Sequence, residues 1–418
     1  MDKAGRQTRS EGAVLRIILL FGAVSLFADM TYEGARSILG PFLGSLGASG
    51  AAVGLVAGMG ELAGYGLRFF SGILADRTRS FWRLTFSGYG VNLAAVPLLG
   101  LVSGWPAAAA LVVAERLGKA IRTPARDVLL ATATRDFGRG RGFGIHEAMD
   151  QVGAVLGPLS VALVLACKGG YRTGFLLLAL PALLSIAALG LVHSFYGRWQ
   201  SSEPASEGVR ESAEKGLSFL PPAFWSYLVA VGCVAGGYID FALVAFHAAK
   251  TGLVPPQGVP LLYALAMGID AGAALWAGRL FDRKGFGALR GLVSLGALAA
   301  PFLFLGGGLG AVLAGVLFWG IGMGVQESVI RAAVAELVPH GRQGTGYGLF
   351  NMAYGFAWFG GSALMGLLYD RSPVLLVAFS CGFQLLALPL LTRTQRQFAV
   401  GRVGRGGGGD GEVSGRIP

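Results

Sequence analysis

Charge is scarce in this chain. Only 14% of its 418 residues are Asp, Glu, Lys or Arg, against roughly a quarter in a soluble globular protein. With a mean hydropathy of +0.61, a water-soluble fold is excluded. Cysteine is equally sparse. Cys167, Cys233 and Cys381 stand singly inside apolar runs without a CxxC spacing, so nothing suggests a disulfide framework or a zinc knuckle. No nucleophile elbow or nucleotide-binding glycine loop occurs, and the sequence implies neither catalytic chemistry nor a cofactor. The basic excess, 34 Lys and Arg against 23 Asp and Glu, has no soluble face to sit on. It flanks apolar runs, which points to membrane topology and not to nucleic acid.

What is abundant is glycine and long hydrophobic runs. The 69 glycines, about one residue in six, would weaken helices in water but let helix backbones approach closely in a bilayer. A span needs about 20 apolar residues. Apolar runs between polar breaks predict twelve helices at 14–46, 50–75, 82–102, 106–133, 139–167, 172–195, 221–249, 258–281, 286–306, 309–338, 343–369 and 373–392. The polar stretch 197–220 divides them into two groups of six. The expected organisation is a bundle over 1–196, a cytoplasmic linker over 197–220, a second bundle over 221–393 and a disordered cytoplasmic tail over 394–418. Most Lys and Arg fall on one side of these spans. Lys168, Arg172, Lys250 and Arg371 fall on the other, and Arg36 and Arg68 within spans. The positive-inside rule then puts both termini in the cytoplasm.

The two halves echo each other. Gly72-Ile-Leu-Ala-Asp76-Arg77-Thr-Arg79 after the second span recurs as Gly278-Arg-Leu-Phe-Asp282-Arg283 after the eighth, and Gly142-Phe-Gly144 opening the fifth as Gly346-Tyr-Gly348 opening the eleventh. Like halves about an axis normal to the membrane are one repeat plan of secondary transporters, with a site near the midplane between them.

On these residues the chain resembles the major facilitator superfamily across 14–392. The doubled G-x-L-A-D-R loop is that family's signature. The resemblance implies an all-α integral membrane fold of two pseudo-symmetric six-helix bundles and a cytoplasmic gate, in which Asp76, Arg77 and Arg79, with Asp282 and Arg283, form interhelical salt bridges. Glu115-Arg116-Leu-Gly-Lys119 resembles the family's R-x-x-q-G element. Gly153-x-x-x-Gly157-Pro158 resembles, in part, the fifth-helix motif of family exporters. That favours proton-coupled export over import.

Ionisable groups inside spans are costly and are functional by default. Asp29, Glu33 and Arg36 share a face of the first span with Tyr32 nearby, and Glu61 lies near the middle of the second. In the fifth, His146 and Asp150 share one face and Glu147 and Gln151 another. Asp29, Glu33, Glu61, His146, Glu147 and Asp150 are the expected proton-coupling groups. Arg36, Arg116 and Lys119 are expected to tune them or meet an anionic substrate group, while Arg122 and Arg126 are expected to snorkel to the interface. The second half offers Tyr238, Asp270, Gln326, Glu327, Asn351 and Tyr354 as further substrate contacts. His146-Glu147-Ala-Met-Asp150 also resembles a zinc-protease helix, but Asp150 stands where the second histidine belongs, and no metal site is expected.

The resulting expectation is a monomeric, alternating-access transporter in a bacterial cytoplasmic membrane, exporting a small organic solute against protons. Proton-coupled import of an anionic metabolite or metal chelate is the alternative. An intramembrane metalloenzyme or a non-transporting sensor is the reading from another class.

Overall fold

The structure, a computed structural model, describes residues 3–134, 139–200, 220–338 and 343–406. Among them every regular element is helical. Twelve helices run α1 (Lys3–Ser45), α2 (Gly50–Thr78), α3 (Phe81–Leu99), α4 (Trp105–Ala133), α5 (Arg139–Ala166), α6 (Tyr171–Leu177 with Ala179–Gln200), α7 (Pro222–Gly237 with Phe241–Thr251), α8 (Gly258–Lys284), α9 (Phe286–Ala297 with Ala299–Phe304), α10 (Gly308–Glu327 with Val329–Leu337), α11 (Gln343–Arg371) and α12 (Pro373–Gly406). All-helical spanning is what a bilayer enforces, since every backbone polar group must be satisfied within the chain. Nine of the twelve contain a stretch apolar enough to cross a membrane by composition alone. α4 is not one of them, because it carries Glu115, Arg116, Lys119, Arg122, Arg126 and Asp127.

The bundles α1–α6 and α7–α12 meet along two main lines, α2 against α11 and α5 against α8. Adding six to each number of one pair, cyclically, gives the other, as the internal repeat requires. Short connections make successive helices antiparallel. One face of the bundle therefore carries the Gly72–Arg79 and Gly278–Arg283 turns, and is called here the motif face. The other carries the turns near residues 46–49, 100–104, 252–257 and 372.

At that opposite face the halves are pressed together by glycine. A Cβ on Gly40 would lie 1.9 Å from the carbonyl oxygen of Ala242, one on Gly54 2.3 Å from that of Ser362, and one on Gly366 2.5 Å from that of Gly50. No side chain fits there, so α1 packs on α7 and α2 on α11 backbone to backbone. Asp370 at the end of α11 closes the seam. Its carboxylate accepts from the Gly50 and Ala51 amides at 2.8 and 2.7 Å, two donors that the N-terminus of α2 leaves without helical partners.

Two sequence expectations fail here. The last helix was expected to end at 392 before a disordered tail from Thr394, yet α12 continues to Gly406. Thr394 is buried and shares a hydrogen bond with Ser226 at 2.9 Å, and Phe398, one turn on, packs edge-on against Phe286. That i, i+4 pair gives the polar-looking segment an inward face. Most of the expected linker lies outside the described residues, as does the chain beyond 406.

The second departure is α7, expected to be continuous. It unwinds at Tyr238-Ile239, just after Gly236-Gly237, and restarts with Asp240 as its cap, accepting from the Ala242 amide at 3.0 Å. Two of the carbonyls at the break have side-chain partners from the second bundle. Gly237 accepts from Ser380 and Gln384 at 2.6 and 3.1 Å, and Ile239 from the Trp319 indole at 2.8 Å. Irregular backbone at this depth requires such partners.

Candidate functional site

Arg36 stands at the centre of a buried ionic chain. Its Nη2 donates to Glu61 Oε1 at 2.9 Å and lies 3.4 Å from Asp240 Oδ2, so one guanidinium joins a carboxylate of its own half to one of the other. Arg116 Nη2 lies 3.3 Å from the same Glu61 oxygen and its Nε 3.2 Å from Glu115. Asn92 Nδ2 donates to Glu115 at 2.7 Å. A line of alternating charge thus runs from α3 through α4, α2 and α1 to α7. One turn from Arg36, Glu33 accepts a hydrogen bond from the Tyr263 hydroxyl of α8, a second link across the seam. Glu33 and Arg36, neighbours on one face of α1, do not pair with each other; each reaches into the other bundle instead.

A second cluster lies wholly within the first half. The Lys119 ammonium sits 3.8 Å from the centre of the Tyr32 ring, and Asp29 lies in the field of Lys119 and Arg122. His146 shares a hydrogen bond with Ser25 at 2.9 Å, and its other ring nitrogen is 3.5 Å from Asp150. Arg122 and Arg126 do not snorkel. Arg122 is 1% exposed, stacked 4.1 Å from the centre of Tyr89, with Nε and Nη1 unpartnered. Arg126 binds Asp127 and Ser25. Aromatic faces on α1 and α3 supply a buried alternative to the interface.

The second half contributes a third group. Tyr238 donates to the Trp319 carbonyl at 2.5 Å, and Tyr354 to Gln326 Oε1 at 2.8 Å. Asp270 is 1% exposed and has an oxygen without a partner. Its charge feels Glu327, Glu33 and Glu147, and more weakly Arg331. Glu147 is exposed, and Gln151 keeps an unpartnered Oε1. Asn351 is half-buried on α11 and makes no side-chain hydrogen bond among the described residues.

The gate expectation is not met in this conformation. Asp76, Arg77, Arg79, Asp282 and Arg283 are exposed, and among the described residues they form no ion pair. Gly72 has only Pro124 at 4.0 Å from a hypothetical Cβ, and Gly278 has open space. Hydrated charges gain little from pairing at a surface; the ion pairing is concentrated at the buried seam. The Gly153–Pro158 element acts inside one bundle. A Cβ on Gly153 or Gly157 would lie 2.2 Å from a carbonyl oxygen of α1, Leu26 or Met30.

Several site residues escape sequence reasoning. Asp240 and Tyr263 were visible as polar residues in spans, but their partners lie about 200 positions away. Asp370, at a helix end beside Arg371, looks like an ordinary surface acid.

The residues 19–362 match the model of the Major Facilitator Superfamily. An uncharacterised protein of Mycobacterium tuberculosis is 43% identical over 92% of this chain and 94% of its own length. An uncharacterised MFS-type transporter of Methanocaldococcus jannaschii is 24% identical over 85% and 89%. Among solved structures, the nucleoside transporter NupG superposes with a TM-score of 0.67 at 14% identity, covering 91% of this chain and 99% of that one. The peptide transporter POT in complex with sulfate does so with 0.69 at 16% identity, covering 93% and 95%. Those two likenesses establish the fold. With twelve helices in two like bundles, a signature turn in each and a charged seam between them, the chain is a multi-pass membrane transporter belonging to the Major Facilitator Superfamily.

Proposed function

We propose that the protein exports a small organic solute in exchange for protons across a bacterial cytoplasmic membrane, as a monomer, with the motif face and both termini in the cytoplasm. The observation that carries this reading is the sharing of Arg36 between Glu61 and Asp240. Closing the opposite face brings Asp240 against Arg36 and Glu33 against Tyr263; opening it must take both apart. A proton can replace Arg36 on Asp240 only while the seam is open, and is displaced when it closes. Protons are thereby collected at the opposite face and surrendered toward the motif face, the direction in which a bacterial gradient drives them. Within the first half, Asp29, His146 and Asp150 form the relay, and Lys119 sets the field in which Asp29 titrates.

The alternative of anion uptake draws on the unpartnered nitrogens of Arg122. That guanidinium lies in the fields of Asp29 and Asp150, so its charge is already answered at a distance.

The test is reconstitution into liposomes loaded with a pH dye, with a proton gradient imposed and organic cations, organic anions and chelates added in turn. Export coupling predicts solute-evoked proton movement, lost in Asp240→Asn and in Asp150→Asn while both variants remain folded. Full activity in both variants, or uptake driven by an inward gradient, would overturn the reading.

A further inference from the structure

On the outer surface of the second bundle, away from the seam, α7 and α12 frame a groove of about 500 Å³, within the roughly 300–1,000 Å³ of small-ligand pockets. It lies at the start of one apolar span, Pro222–Thr251, and near the end of another, Pro373–Ala399. That is the depth at which hydrocarbon gives way to headgroups on the motif face. The lining changes character along the membrane normal. On α7 it runs inward from Trp225 to Val229, and on α12 outward from Leu390 through Arg393 to Gln397. The apolar end therefore points toward the bilayer core and the polar end toward water. Trp225 and Val229 are both exposed, as a membrane-facing wall requires, and an interfacial level suits the indole.

The polar end offers donors only. Ser226 donates to Gln397 Oε1 at 2.8 Å, which fixes the carboxamide and leaves its two N–H groups for another acceptor. Arg393 forms no ion pair among the described residues, and no acid lines the groove. A guanidinium and an amide N–H above an apolar trough specify an amphiphile whose head accepts hydrogen bonds and carries negative charge. A head that ends in an ammonium group finds no carboxylate here to answer it.

We propose that the groove holds an anionic phospholipid, its phosphodiester taken by Arg393 and Gln397 and one acyl chain lying along Trp225, Val229 and Leu390. The bound lipid ties the root of α7 to α12. The site stands apart from the ionic seam, and it is independent of the direction and coupling of transport.

The full-length protein is reconstituted into phosphatidylcholine vesicles in which a rising fraction is replaced by a chain-brominated lipid, a contact quencher of tryptophan. The brominated lipid is either phosphatidylglycerol or phosphatidylcholine. The emission of Trp225 is obtained as the difference between the protein and its Trp225→Phe variant. It should be quenched at about fivefold lower fractions of brominated phosphatidylglycerol than of brominated phosphatidylcholine, the preference that one interfacial arginine confers. Arg393→Gln should bring the two curves together. Arg396→Gln removes an exposed charge of α12 that does not line the groove, and should leave the preference in place. Both arginines are exposed, so neither change threatens the fold. Equal quenching by the two lipids in the unaltered protein, or a preference that survives Arg393→Gln, would overturn the proposal. So would an equal loss in Arg396→Gln, which would reduce the effect to diffuse surface charge. Quenching by neither lipid would overturn it as well, because a segment of the chain itself would then cover Trp225.

Discussion

Removing the charge of Asp370 should unlock the opposite face. In the structure its carboxylate receives the first two amides of α2 at 2.8 and 2.7 Å, a negative group on a helix N-terminus contributed by the other bundle. Hydrogen bonds to a charged group contribute about 1.5–3 kcal/mol each, and the helix dipole adds about 0.3–1 kcal/mol near the surface. Asp370→Asn retains one neutral acceptor, so the loss should be about 2–3 kcal/mol. For two states in balance that moves the population by roughly 30- to 150-fold toward opening. The measurement is a spin-label distance across the opposite face, between cysteines replacing Ser103 in the first half and Pro256 in the second, with Cys167, Cys233 and Cys381 replaced. The variant should lengthen the dominant distance. An unchanged distribution in both Asp370→Asn and Asp370→Ala would refute the clamp, leaving the glycine contacts to close the face alone.

Gly54→Val places a branched side chain where even a Cβ would lie 2.3 Å from the Ser362 carbonyl. The same label pair should report a seam that no longer closes, and transport should cease with the protein still folded. Arg36→Gln leaves Asp240 without its cation, while Glu61 keeps Arg116, a loss of about 3–5 kcal/mol for a broken buried pair. Asp240→Asn should be milder, because asparagine still caps the restarted helix. The double variant should lose less than the sum of the two, read as thermal unfolding in detergent. Additive losses would mean that the two residues do not act on each other.

The fold was legible because the bilayer makes span length and charge placement explicit. The count of twelve, the 6+6 division and the repeated turn all follow from local patterns. What escaped is whatever depends on partners far away in the chain. Arg36 reads from sequence as the neighbour of Glu33, three residues off, because helical spacing reveals only same-helix pairs. Its actual partners come from α2 and α7. The doubled signature reads as a latch, but a motif names residues and not the conformation in which they engage; here the acids of that latch face solvent. The break in α7 follows Gly236-Gly237, yet glycine is so common in this chain that the pair could not be told from packing glycines. Asp370 gave no signal, since capping a helix of another bundle leaves no trace in local spacing.

The unwound stretch of α7 has a mechanical consequence. Beyond it, Phe241–Thr251 belongs by sequence to the second bundle, yet it lies against α1 with Ala242 at the backbone of Gly40 and Phe246 against Gly44. The carbonyls of the stretch itself are anchored the other way, to α10 and α12. One helix therefore spans the seam, its root bonded within the second bundle and its outer part packed on the first. Residues 238–240 join the two parts. The compliance of those three residues would then limit how far the bodies can swing before the segment must change sides.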